Sequence, residues 1–265
     1  MKMLPRVVGG SLLALRLLTL ALPSRAAEGP GDTQTLPCRP TIACTADFVP
    51  PGAFEIEAGY QYRRLGSERQ SSFPFLAKLT VAKWIQLQLG SNGYTAEQGP
   101  TSPHYFDNVS IGAKLHFFDQ GTLIPSVSLS VAASFPTAAE TGYFQAEDLV
   151  ATAYVTKDFG RIHADLNIGY NQFGFSGGPA TQEWAALAVS TPLPPPFGVM
   201  VESYYFTDAP PAATQDGGFL FAVSHSPASW LTFDLGGDVG YFASTRAFSA
   251  FFGMSIVPFL LWDGK

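Results

Sequence analysis

The chain has 265 residues, a formal net charge of −6, and only 14% charged residues. Soluble domains usually carry about 25% charged residues to cover their surface, so an ordinary water-facing globule is excluded. An acidic chain also lacks the basic face that phosphate backbones require, which argues against nucleic acid as a partner.

The first residues read as an export signal. Lys2 and Arg6 precede an apolar stretch from Val7 to Leu22, Pro23 breaks it, and Ser24-Arg25-Ala26 places small residues where signal peptidase reads them. Residues 1–26 are therefore expected to form a secretory signal peptide, with Ala27 starting the mature chain. A retained anchor would need about 20 clean apolar residues, and Arg16 and Pro23 interrupt this stretch. Removing Lys2, Arg6, Arg16 and Arg25 leaves 11 basic against 21 acidic residues.

Residues 27–52 are expected to form a periplasmic N-terminal segment. They hold both cysteines, Cys38 and Cys44, which an oxidising periplasm would join into a small loop. Lipid attachment at Cys38 does not fit, because that residue lies far beyond the apolar core of the signal.

From residue 53 to 265 the pattern changes to period-two alternation. Phe54, Ile56, Ala58, Tyr60 and Tyr62 oppose Glu55, Glu57, Gly59, Gln61 and Arg63. Val109, Ile111, Ala113 and Leu115 oppose Ser110, Gly112, Lys114 and His116. Ile162, Ala164, Leu166, Ile168 and Tyr170 oppose Arg161, His163, Asp165, Asn167 and Asn171. Leu231, Phe233, Leu235 and Val239 oppose Thr232, Asp234, Gly236 and Asp238. Such alternation is the strand signal. About twelve segments follow, at 53–63, 71–80, 84–93, 107–118, 122–135, 146–157, 161–173, 181–191, 197–207, 217–225, 230–242 and 246–257.

Each segment is near the ~9–11 residues a tilted strand needs to cross a bilayer. No run of 18 apolar residues follows the signal. Since every backbone group in lipid must be paired internally, strands can cross only as a closed barrel. The expected fold is all-β, a transmembrane antiparallel up-and-down β-barrel of about 12 strands, with the outer-membrane bilayer as its partner.

Connection lengths agree. Val81 to Lys83, Asp119 to Gly121, Asp158 to Gly160, Pro192 to Pro196 and Ser226 to Ser229 are tight, whereas Tyr94 to Phe106, Pro136 to Gln145 and Asp208 to Asp216 are long. Short periplasmic turns and longer outer loops are the habit of this class. Aromatic residues also gather near strand ends, at Tyr60, Tyr62, Trp84, Tyr170, Tyr205, Trp230 and Tyr241, as interfacial girdles would require. A soluble, lipocalin-like barrel would turn the polar set outward, but that set is largely Gly, Ser and Ala.

The polar face supplies the candidate lumen lining: Glu55, Glu57, Lys114, His116, Arg161, His163, Asp165, Asn167, Glu202, Asp234 and Asp238. Glu57, Lys114, Asp165, Glu202 and Asp234 fall at similar heights and could share one layer. A charge buried dry and unpaired costs several kcal/mol, so the layer must be wet, paired, or both. If it is wet, its acidic excess favours cations.

Other chemistry is sparse. Ser91-Asn92-Gly93 resembles the nucleophile region of outer-membrane phospholipases, but the place of their partner histidine holds Leu89, so a turn is the better reading. His163 and Asp165 share a face without an evident third metal ligand. No phosphate-cradling glycine loop occurs. Neither a cofactor nor an enzyme activity is expected.

Three stretches resemble a family of bacterial outer-membrane transporter-like barrels labelled after the meta-pathway of phenol degradation. They are Pro50 to Tyr60, Asp107 to Leu115 with its Asp-x-x-x-x-Gly-x-Lys pattern, and Ala133-Ser134-Phe135-Pro136-Thr137. The last departs from the family's apolar-Pro-Thr-Gly turn at Ala138. The resemblance implies a barrel that takes up hydrophobic or aromatic compounds. The function expected is a channel or uptake barrel for small compounds, with a structural or surface-interaction barrel, plugged by its own polar interior, as the alternative. One more departure is that the chain runs past Phe259 to Lys265 rather than ending on an aromatic residue.

Overall fold

A computed structural model describes residues 33–99, 104–137, 148–174, 178–208, 216–241 and 247–262. The expected signal peptide and cleavage point, and most of the long connections after Pro136 and Asp208, lie outside them.

The strands are β1 (Ala53–Leu65), β2 (Glu68–Ser72), β3 (Phe75–Ala82), β4 (Ile85–Ser91), β5 (Tyr94–Gln98), β6 (His104–Phe106), β7 (Val109–Phe118) and β8 (Ser126–Phe135). They continue as β9 (Asp148–Phe159), β10 (Ile162–Phe173), β11 (Ala180–Pro192), β12 (Phe197–Phe206), β13 (Asp216–Ala228), β14 (Leu231–Gly240) and β15 (Ala247–Leu260). Twelve of them form a closed antiparallel barrel in the order β1-β3-β4-β7-β8-β9-β10-β11-β12-β13-β14-β15, and β15 pairs back to β1.

β2, β5 and β6 prolong β3, β4 and β7 beyond breaks at Phe73-Pro74, Asn92-Gly93 and Asp107-Asn108. With the far half of β1 they form a flap in the order β1-β2-β5-β6. The connection Tyr94 to Phe106, read from sequence as a loop, is thus partly strand. Asn92-Gly93 is a kink and not an end. Gly93 has φ +65°, and the chain on either side keeps pairing, with Phe73 N–H donating to the Tyr94 carbonyl at 3.1 Å. Pro74 has no N–H to give to the ladder, which interrupts the neighbouring strand at the same level.

Two turn-end features also differ from the sequence expectation. The connection between β7 and β8 runs to Pro125, because exposed Leu123 and Ile124 belong to it and not to a strand. β15 continues to Leu260, three residues further than alternation suggests. The Leu261 N–H then donates to the Gly52 carbonyl at 2.8 Å. Gly52 sits at φ +87° with the Trp262 backbone where a Cβ would stand, so only glycine fits.

The faces are sorted as a lipid-embedded barrel requires. On β10, Ile168 is 56% exposed and its neighbour Asn167 is 0% exposed. Ile111, Phe219, Phe233, Leu235 and Phe252 extend the exposed apolar belt. A soluble barrel has the opposite arrangement. Trp84 and Tyr170 stand exposed on the outside, whereas Trp230 turns inward and packs on Val49 and Val257.

Candidate functional site: a lumen crossed by the N-terminal segment

Residues 35–49 run along the inner wall of the barrel, a position that the expectation of a periplasmic segment did not include. An extended chain outside any sheet has unpaired N–H and C=O groups, and burial demands partners for them. The inward side chains of the barrel supply those partners one after another.

The segment starts beside the turn ends of β13 and β14, where Thr35 N–H donates to the Ser229 carbonyl at 2.9 Å and its hydroxyl meets that of Thr232 at 2.8 Å. On β1, Glu55 accepts Leu36 N–H at 2.9 Å. Glu57 accepts Cys38 N–H and Arg39 N–H, each at 2.9 Å. Both carboxylates are fully buried and share Lys78 of β3, whose Nζ lies 2.8 Å from Glu55 and 2.5 Å from Glu57. Lys78 also donates to the Leu36 carbonyl at 2.7 Å. The Arg39 side chain pairs with Asp234 of β14 at 3.3 Å.

The chain then turns through the Cys38–Cys44 disulfide and crosses to the far wall. Glu202 of β12 accepts Ile42 N–H and Ala43 N–H at 3.0 and 2.8 Å. Asn167 of β10 brackets Cys44, accepting its N–H at 2.5 Å and donating to its carbonyl at 3.0 Å. Ala43 packs on Ala186, Ala188 and Tyr204, where small side chains let the backbone approach the wall. Lys114 of β7 donates to the Thr45 carbonyl, with its ammonium 4.0 Å from the Tyr154 ring centroid. Ala46 N–H donates to the Thr156 hydroxyl at 2.7 Å and its carbonyl accepts from Ser128 at 2.6 Å. Ser126 reaches Asp47, Phe48 meets the His116 ring, and Val49 returns the chain to Ala53.

Glu55, Glu57, Lys114, Asn167, Glu202 and Asp234 all touch the segment. Asp165 stands behind Thr156, whose hydroxyl donates to it at 2.5 Å. His163 lies between Asp158 at 2.7 Å and Asp165 at 3.1 Å. His116 contacts Ser128 and Asp119. Asp238 lies towards the loop end and accepts the Tyr204 hydroxyl at 3.1 Å. Arg161 is displaced from the proposed lining: it sits exposed in the Gly160-Arg161 turn and donates to the Pro192 carbonyl at 3.1 Å. Ser91 is taken up by the kink, donating to the Asp107 carbonyl and accepting Gly93 N–H. Sequence reasoning missed Arg39, Lys78, Ser126, Ser128 and Thr156. The available signal was an inward acidic excess that the recognised cations could not balance.

A cavity of about 320 Å³ opens on the loop side of the segment. Its floor is the disulfide with Ile42, and its walls are Leu76, Tyr154, Trp184 and Phe206, with Gln88, Thr152 and Asn171 as polar points. Among the described residues, no charged side chain lines it. Trp184 lies against Gly169, where a Cβ would collide with the indole, and donates Nε1–H to Asn171 at 3.2 Å. It stacks on Phe206 at 5.7 Å between centroids.

No family model and no curated protein sequence matches the chain. Among solved structures it is similar to an outer-membrane channel from Pseudomonas putida F1, with TM-score 0.61 and 13% identity over 86% of this chain and 98% of that one. It is also similar to the NanC porin, with TM-score 0.56 and 8% identity over 76% of this chain and 98% of that one. At such identities the likeness is one of fold: the chain has the architecture of an outer-membrane β-barrel.

Proposed function

We propose that the protein is an outer-membrane channel whose N-terminal segment narrows the lumen, and that it passes small, uncharged, hydrophobic or aromatic compounds. The observation that carries this reading is the uncharged, aromatic-walled cavity on the loop side of a segment that already engages the charged ring. In this reading residues 1–26 are removed on export, the long connections face outward and the tight turns face the periplasm. The similarity to structures described as a channel and a porin supports the same class. Glu57, Glu202 and Asp234 are engaged by segment donors, so little charge remains to impose the cation preference that an empty lumen would have.

Planar-bilayer conductance of wild type and of a variant lacking residues 33–49 tests this. The deletion should raise conductance severalfold, and liposome swelling should favour uncharged aromatic solutes over organic ions in wild type. Equal conductance in two properly folded proteins rejects the constriction. The second reading, a sealed structural barrel, is favoured by the continuous series of bonds between segment and wall. It takes the lead if wild type never conducts and the deletion variant does.

A further inference from the structure

We propose that the barrel wall carries a guanidinium-binding slot, filled here by the protein's own Arg39 and available, when the segment is displaced, to an alkylguanidinium ligand that enters the lumen and binds without being a permeant; this rests on the segment being a constriction.

Most of the grip on the segment reads backbone amides and carbonyls, which any sequence would offer. At Arg39 the wall reads a functional group instead. Gly59 of β1 and Gly253 of β15 are paired directly across the closing seam of the barrel. A Cβ on either would collide with the Arg39 guanidinium, so together they leave a flat recess of guanidinium shape. On β14, Asp234 stands opposite Gly253 in register. It presents Oδ2 to Nε and Oδ1 to Nη2, each at 3.3 Å. The Phe252 carbonyl accepts from Nη2 at 3.3 Å.

Two carboxylate oxygens and a carbonyl thus face a planar fork of N–H donors. An ammonium, a point charge with tetrahedral donors, cannot lie flat on the glycine pair while meeting both oxygens. The side chain of Asp234 is only 3% exposed, so the carboxylate needs a cationic partner. That of Arg39 keeps 14% exposure, so one edge of the slot is reachable from the lumen. Tethering gives Arg39 a high effective concentration, so a free ligand competes poorly until Arg39 is removed or withdrawn.

The test titrates folded Arg39→Ala protein in detergent with ethylguanidinium and with ethylammonium, by calorimetry, with Arg39→Gln in parallel should the alanine variant fold poorly. Ethylguanidinium should bind saturably and at least about tenfold tighter than ethylammonium. The same titration of wild type, Arg39→Ala/Asp234→Asn and Arg39→Ala/Gly253→Val should show no saturable binding. Absence of binding to both single variants, or equal binding to wild type, overturns the slot. In planar bilayers, Arg39→Ala should spend more time open, and ethylguanidinium should restore the wild-type record. Binding without that restoration overturns the link between slot and constriction. If binding is as expected but no variant conducts, including the one lacking residues 33–49, the channel reading falls and the slot stands.

Discussion

Residues 35–39 lean on β1, β3 and β14 through charge, with Glu55, Glu57, Lys78 and the Arg39–Asp234 pair clustered within a few residues of one another. Residues 42–48 lean on β7 to β12 mainly through neutral groups, namely Asn167, Thr156, Ser128 and the small surface of Ala186 and Ala188. Glu202 and Lys114 are the exceptions there, and each meets the segment's backbone, not an opposite charge. The first half therefore depends on a balance of charges that cannot be altered one at a time. The second half is a sum of separable bonds.

Lys78→Met should have the largest effect, because it leaves Glu55 and Glu57 buried side by side without their shared cation. A loss of about 3–5 kcal/mol is expected, read as a fall in the denaturant midpoint of the folded barrel. A loss below about 1 kcal/mol would mean that these charges are solvated, and the contrast would disappear. Replacing both cysteines by serine unlinks the two halves and should cost about 2 kcal/mol. Thiol titration of the wild-type protein should find neither cysteine free.

On the neutral side the expected losses are smaller. Asn167→Ala leaves the Cys44 N–H and carbonyl without their wall partner and should cost about 1–3 kcal/mol. Ser128→Ala removes one hydroxyl from the Ala46 carbonyl and should cost about 0.5–1.5 kcal/mol. Combining Asn167→Ala with Ser128→Ala should give close to the sum, whereas Lys78→Met with Glu57→Gln should cost much less than the sum. Double-mutant cycles on the denaturation midpoint measure both; additivity on the charged side would break the comparison.

The wall was legible because each strand repeats its own evidence. Along β10, every second residue from Ile162 to Tyr170 meets lipid, and a register slip of one would reverse the whole face. The kinked strands were harder to read, because Pro74 and Gly93 signal an end and the chain goes on pairing. The segment was not legible, because its partners grip its backbone and a backbone leaves no mark on composition. Lys78 stayed hidden because its segment alternates poorly. Glu202 and Asp234 were visible as inward charges, but what they hold was not.

Sequence separation sets an expected order for the bonds of the segment. Leu36 and Cys38 reach β1 across 19 residues, whereas Ile42 reaches Glu202 across 160. Closing short loops precedes closing long ones, since chain entropy must be spent before distant contacts repay it. Contact between segment and β1 is therefore expected to form before β15 pairs with β1 from nearly the other end of the chain. Closure around a segment already docked on β1 is the order that chain entropy favours, so the variant lacking residues 33–49 should still close, but more slowly than wild type.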